Sequence, residues 1–186
     1  MKIIKKINHL NKYISNVSNI GFVPTMGGLH NGHLSLIKES KKISNKTLVS
    51  IFVNPAQFDK KKDFLTYPRN LKKDLSKLKK TKVDCVFIPT SNEIYYQKRK
   101  VEIKIKKKYK ILCSNFRKGH FEGVLDVIER FLKIIHPKFI FFGEKDYQQY
   151  FLINKYFKRK FKTKIILCKT IRDNNKIALS SRNQLL

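Results

Sequence analysis

At 186 residues with 41% hydrophobic content, the chain has the length of one domain and enough apolar residues for a core, which excludes a disordered chain. A formal net charge of +29 invites a nucleic-acid or other polyanion partner. Lys greatly outnumbers Arg, however, the lysines are spread over the whole chain, and the joint abundance of Lys, Ile, Asn, Phe and Tyr matches an A+T-rich coding bias, so the charge is read as composition rather than as a polyanion site.

The N-terminal stretch MKIIKKINHLNKY has no continuous apolar segment and does not read as a signal peptide. The first strong element is an apolar run at 20–23 (IGFV), predicted as a short buried strand. It enters the Gly-rich turn 24–33 (PTMGGLHNGH), which carries His30 and His33 three residues apart. Residues 34–43 are predicted as a helix, with Leu34, Ile37 and Ser40 on one face. The two histidines then stand at a helix N-terminus, where free backbone N–H groups and the helix dipole attract phosphate. Gly27, Gly28 and Gly32 permit positive φ and a close approach of backbone to an anion. Taken alone, the HxxH pair is as compatible with ordinary surface histidines.

The next strand is predicted over 47–53 (TLVSIFV) and is followed by Asn54-Pro55-Ala56-Gln57-Phe58. Two amides at a strand end suit the hydroxyl and carboxylate groups of a small polar substrate, although Asn54 also fits plain turn chemistry. Leu71, Leu75 and Leu78 predict a helix over 70–79, and 83–88 (VDCVFI) a further strand. The lysine-rich stretch 97–110, with its alternating VEIKIK, is predicted as an exposed edge strand protected by charge. His120, in Gly119-His120-Phe121-Glu122-Gly123, either lines a cleft or caps the helix predicted over 123–135. His9 and His136 have no companion residues and are read as structural.

A strand over 139–142 (FIFF) leads into Gly143-Glu144-Lys145-Asp146 and a helix over 146–157. Lys145 there is a mobile cation suited to phosphates, and Asp146 can accept from ribose hydroxyls or simply cap the helix. Of Gln148 and Gln149, one can face a cleft while the other points away. After a last strand at 164–168 (KIILC), Ser180-Ser181-Arg182-Asn183 offers two hydroxyls and a guanidinium for phosphate. The alternation predicts an α/β fold with a parallel sheet flanked by helices. Pro24, Pro55, Pro89 and Gly143 mark the carboxyl ends of their strands, where open α/β sheets bind ligands. The segments 25–33, 54–57 and 143–146 are therefore predicted to share one cleft. Cys85, Cys113 and Cys168, odd in number and without CxxC spacing, argue against a disulfide framework or zinc knuckle. With no apolar run of membrane-span length, this predicts a cytoplasmic protein with no membrane and no specific nucleic acid as partner.

The segments PTMGGLHNGHLSLI (24–37), VSIFVNPAQF (49–58), YPRNLKKDL (67–75), GHFEGV (119–124), FFGEKDYQQ (141–149) and LSSRN (179–183) together resemble the pantothenate synthetase (pantoate–β-alanine ligase) family, in that family's order. The HxxH turn and the SSRN segment are similar to the paired signatures of the HIGH/KMSKS nucleotidyl-transferring superfamily. The resemblance implies a Rossmann-like domain over 1–186 that condenses pantoate with β-alanine through a pantoyl adenylate, with ATP as co-substrate, Mg2+ and a homodimer. It implies an ATP loop of Met26, Gly27, Gly28, Leu29, His30, Asn31, Gly32 and His33, with His33 as proton donor and His30 beside it. It also implies nucleotide contacts from Gly143, Glu144, Lys145, Asp146, Ile171, Leu179, Ser180, Ser181 and Arg182. Asn54, Gln57 and Gln149 are implied for the pantoate side. The chain departs from the family pattern at Gly28 (usually Ala), Leu179 (usually Met) and Lys73 (often acidic). Asp74 is retained, and the metal ligands stay open. The sequence ends at Leu186, before the family's smaller C-terminal domain, so the resemblance implies weak substrate binding and AMP release in excess of pantothenate unless a second polypeptide covers the site. The rival readings are another HxGH-type nucleotidyltransferase, which Gln57 and Gln149 disfavour over Arg for a phosphorylated substrate, and a basic nucleic-acid-binding protein.

Overall fold

The computed structural model describes residues 1–96 and 103–185. In chain order the elements are β1 (Lys2–Ile4), α1 (Ile7–Ile14), β2 (Ile20–Thr25), α2 (Asn31–Ile43), β3 (Lys46–Ile51), α3 (Lys61–Thr66) and α4 (Leu71–Lys80). There follow β4 (Cys85–Phe87), α5 (Ser91–Ile94), α6 (Cys113–Phe116), α7 (His120–Ile135), β5 (Phe139–Gly143), α8 (Tyr147–Phe157) and β6 (Lys164–Cys168). Short 3₁₀ turns occupy Pro55–Gln57, Lys107–Tyr109, Glu144–Asp146 and Ser181–Leu185.

The strands form one six-stranded sheet in the order β1-β4-β3-β2-β5-β6, and every pairing is parallel. Side chains alternate across it. Phe22, Leu48, Cys85, Phe87, Ile140 and Phe142 pack on one face against α1, α7 and α8. Val23, Val49, Val86 and Phe141 pack on the other against α2 and α4. Each strand is therefore apolar on consecutive residues, as a sheet covered on both faces requires. Phe131 of α7 anchors the first layer, with ring centroids 5.3 Å from Phe22, 6.2 Å from Phe52 and 6.4 Å from Phe87.

From β2 the chain builds outward to β3 and β4 on one side, then returns to lay β5 and β6 on the other. The order reverses between β2 and β5, and a crevice opens there at the carboxyl ends. Pro24 explains why. The carbonyl of Ile20 accepts from Lys138 on the β5 side and that of Thr25 from Phe52 on the β3 side, so by alternation the backbone of Pro24 faces β5. Pro has no N–H to give. The β2–β5 register accordingly stops at Phe22↔Ile140, whereas β2–β3 continues to Thr25↔Ile51.

One sequence expectation changes. The edge strand predicted over 97–110 lies outside the described residues from 97 to 102, and from 103 it is irregular chain and a 3₁₀ turn. It is held by a side chain rather than a ladder: Lys106 N–H donates to the Tyr156 hydroxyl (3.1 Å), which donates to Lys104 O (3.2 Å), and Ile105 enters the core. The edge strands of the sheet are instead β1, paired with β4, and β6, paired with β5. No helix among the described residues is long and apolar enough to cross a membrane.

Candidate functional site

The crevice is open to solvent and is bounded by the segments after β2, β3, β5 and β6 and by the start of α7. Its first wall is the turn after β2. The Thr25 hydroxyl donates to Ser50 O (2.7 Å) and accepts from Gly27 N–H (3.2 Å). Gly27 and Gly28 follow at φ +81° and +62°, a reversal that L side chains rarely adopt. It aims the N–H groups of Gly28 and Leu29 at the two carboxylate oxygens of Asp74, at 2.9 and 2.8 Å. Asp74 is 3% exposed. Lys77 completes the grip by donating to Leu29 O. Asp74, left open as a metal ligand, is thus committed to holding the turn, and the Leu29 side chain plugs the core beneath it.

Both histidines lie at the start of α2 and cap it reciprocally. His30 Nδ1 accepts from Gly32 N–H (3.1 Å), and His33 Nδ1 accepts from His30 N–H (3.3 Å). An Nδ1 that accepts cannot carry the proton, so both neutral rings are Nε2–H tautomers. Each Nε2–H is left without a protein acceptor among the described residues, on rings that line the crevice 4.1 Å apart. Burial, then Lys145 and Lys77, lowers the His30 pKa to about 4. Burial, then His30, Lys145 and Lys77, lowers that of His33 to about 3. Both rings are neutral hydrogen-bond donors at pH 7.

Those depressions fix the sign of a pH effect. Unfolding releases the rings to take up protons near pH 6.5, so the stability they contribute is complete above that value and is lost as pH falls toward their folded values of about 4 and about 3. Thermal melts between pH 7.5 and 4.5 are expected to fall more steeply for the unaltered chain than for a His30→Gln/His33→Gln double variant. Parallel curves would contradict the assignment.

The second wall is the 3₁₀ turn after β3. Asn54 is 1% exposed and fully occupied: Oδ1 accepts from Ala56 N–H (3.2 Å) and Tyr95 OH (2.7 Å), and Nδ2 donates to Gly123 O (3.1 Å) and Gln57 Oε1 (3.4 Å). Its side chain therefore positions the turn instead of being free for a substrate. Gln57 lines the crevice with Nε2 against the sulfur of Met26. His120 does line the crevice, and it also bonds the turn. Its Nδ1–H donates to Gln57 O (2.6 Å) and its Nε2 accepts from Arg117 (3.0 Å). Helix α7 comes this close because residue 123 is Gly; a Cβ there would sit 2.2 Å from Ala56 O.

The third wall follows β5. Lys145 lines the crevice, ion-paired to Asp146 at 2.8 Å, and Asp146 makes no side-chain cap to α8. Gln149 lines the crevice while Gln148 turns away to donate to Ile111 O. Thr170, Ile171, Leu179 and Ser180 close the site, and Ser181 donates to Gly28 O (2.9 Å), fastening the C-terminal signature to the His-bearing turn.

Three expected residues do not present side chains to this crevice. Leu29 is in the core, Glu144 is exposed and directed elsewhere, and Asn31 faces a separate shallow groove beside residues 171–175. Unforeseen lining residues include Tyr67, Arg117, Lys169 and Thr170, with the apolar Phe52, Val124, Val127 and Ile128. Tyr67 opens the YPRNLKKDL segment and Arg117 lies two residues before the Gly-His segment, so both stood beside legible motifs. Among the described residues no group of three His, Cys, Asp or Glu is arranged to hold a metal ion. Donors and cations line the crevice: His30 and His33 with Lys145 beside them, and Arg182 near Arg117 and His120. Gln57, Gln149 and the apolar Phe52, Val124, Val127 and Ile128 line it as well. The arrangement can bind a polyphosphate beside a small, branched, hydroxylated acid.

The family profile described as pantoate-beta-alanine ligase matches residues 2–186. The pantothenate synthetase of Endomicrobium trichonymphae is 47% identical over 191 residues, covering 100% of this chain and 68% of that protein. That of Leptospira interrogans serogroup Icterohaemorrhagiae serovar Lai is 48% identical over 169 residues, covering 90% of this chain and 59% of that protein. A crystal structure of the pantoate-beta-alanine ligase from Francisella tularensis, complexed with beta-gamma ATP and beta-alanine, is similar to the whole chain with a TM-score of 0.96 at 42% identity, over 73% of its own length. The chain thus spans between 59% and 73% of the length of these relatives.

Proposed function

The chain belongs to the pantoate–β-alanine ligase family, and from that membership we propose that it joins pantoate to β-alanine, with ATP as the activating co-substrate. A pantoate carboxylate oxygen attacks the α-phosphorus, the bond to the β-phosphate oxygen breaks, and pyrophosphate leaves a pantoyl adenylate. The free amine of β-alanine then attacks the acyl carbon. AMP departs, the amine loses a proton and the amide of pantothenate remains. Positioning and charge stabilisation are what such a transfer asks of a protein.

The observation that carries the reading is the tautomer pair at the start of α2: two neutral imidazoles with Nε2–H donors beside Lys145, in a crevice also lined by Gln57 and Gln149. In this proposal His33 and His30 donate to phosphate oxygens as charge grows on them. Lys145 and Arg182 offset that charge, and Asp146 accepts from the ribose. Met26, Gly143, Ile171, Leu179 and Ser180 shape the nucleotide's berth. The amides hold pantoate's hydroxyl and carboxylate groups, with Val124, Val127 and Ile128 against its methyls. Asn54, Ser181 and the backbone of Gly27, Gly28 and Gly32 position these groups.

Mg2+ belongs to the proposal as a partner of the triphosphate. Both Asp74 oxygens already receive backbone N–H groups, so the donor set fits a metal carried in on phosphate oxygens rather than one held by this carboxylate. The resemblance to a dimeric family extends the proposal to a homodimer. Exposed Ile111, Tyr147 and Phe151 lie where the segment before α6 meets α8, and sedimentation at micromolar concentration reads the assembly.

The reading is tested by pantoate-dependent exchange of labelled pyrophosphate into ATP, which requires the adenylate and no β-alanine. Exchange that ignores pantoate would contradict it. Gln149→Leu is expected to raise the pantoate requirement by about 10–100-fold while leaving ATP affinity within about twofold, because a buried polar group of the substrate loses its partner. Equal losses for both substrates would show general damage instead.

A further inference from the structure

We propose that Asp63 is a positioning residue for the nucleotide, holding one edge of the Arg182 guanidinium so that its remaining nitrogen is presented to phosphate. The inference rests on the ATP reading above and deepens it. Arg182 Nε donates to Asp63 Oδ1 (3.3 Å), and Nη2 donates to Oδ1 (3.2 Å) and Oδ2 (2.9 Å). That arrangement occupies the Nε–Nη2 edge and leaves Nη1 without a protein acceptor among the described residues. Arg182 itself lines the crevice.

The two residues are 119 positions apart, so the pair ties α3 to the C-terminal signature. The same junction is made a second way. Arg182 lies over the Tyr67 ring at 5.3 Å, and its neighbour Ser181 donates to Gly28 O. Phe58 stacks edge-on with Phe64 and Tyr67, at 5.4 and 5.7 Å, linking this strap back to the turn that carries Gln57. Asp63 also lets two guanidiniums share one wall. Burial and then Arg182 lower the Arg117 pKa, and Asp63 and Asp59 oppose that.

Two effects of opposite sign meet at Asp63. As a bare charge near a polyphosphate, the carboxylate repels it, and removal tightens ATP binding. As the holder of a planar fork with much rotamer freedom, it pre-organises Arg182, and removal weakens ATP binding. The pair is partly exposed, with side-chain exposures of 40% and 31%, so it contributes little to folding stability. Positioning is the effect the bidentate geometry favours.

The test measures equilibrium ATP binding, pantoate-dependent pyrophosphate exchange and thermal stability for the unaltered chain, Asp63→Ala, Asp63→Asn, Arg182→Ala and the Asp63→Ala/Arg182→Ala pair. Asp63→Ala is expected to weaken ATP binding by about 5–20-fold, with the pantoate KM and Tm unchanged, Asp63→Asn falling between, and the double variant no worse than Arg182→Ala, since residues acting as a unit are not additive. ATP binding that is unchanged or tighter in Asp63→Ala overturns the proposal, as do losses that multiply in the double variant. Failure of the unaltered chain to exchange pyrophosphate overturns the functional reading first, before any variant is compared.

Discussion

His33→Ala is expected to lower kcat for adenylate formation by about 10²–10³, the usual loss when one preorganised donor is taken from a developing negative charge. The size follows from geometry. The Nδ1 of His33 is spent on the backbone of His30, which leaves its Nε2–H as the group available to the reacting phosphate. Lys145→Ala is expected to fall in the same range, since Lys145 lines the same end of the crevice. The structural cost of His33→Ala is the lost cap on α2, about 1 kcal/mol, while Lys145 contributes only an exposed ion pair to Asp146. Single-turnover kinetics beside a thermal melt separate the two effects. Near-normal turnover in either variant would remove that residue from the mechanism.

Asp74→Ala is expected to act on the fold instead. It strands the buried N–H groups of Gly28 and Leu29, and an unsatisfied buried donor costs about 1–3 kcal/mol. A total near 2–5 kcal/mol lowers Tm by about 5–15 °C in a chain of this size. Activity falls too, because the turn carrying the histidines loosens, but the Tm loss appears without nucleotide and is not repaired by Mg2+. A variant of ordinary Tm with a raised Mg2+ requirement would instead make Asp74 a metal ligand and contradict the turn-holding role.

These contrasts show which parts of the molecule were legible in the residues. The five central and distal strands, β2 to β6, announce themselves because a sheet covered on both faces is apolar on consecutive positions. β1 does not, being three residues between lysines. The start of α2 was missed by three residues because histidine is an uncommon N-cap and the pair caps by ring nitrogens. The alternation in 97–110 pointed to a strand, but from 103 onward Tyr156 holds the extended chain where no neighbouring strand does. Residues sent to one crevice by the strand ends do line it, since topology alone brings those ends together: His30, His33, Gln57, Lys145 and Gln149. Loop membership does not give side-chain direction, so Leu29, Asn31 and Glu144 were grouped with a crevice they do not line. For Asn54 the type suits a substrate ligand and a turn residue alike; only its contacts show that both polar atoms are engaged in holding the turn. Asp63 escaped because nothing in its spacing foretells its long-range partner Arg182, 119 residues away.

The most direct test of the account is the product balance of this chain with ATP, pantoate and β-alanine. The account predicts that AMP forms only when pantoate is present, and that adding β-alanine yields pantothenate. AMP formation indifferent to pantoate, or steeply salt-dependent nucleic-acid binding with no turnover of ATP, would contradict it.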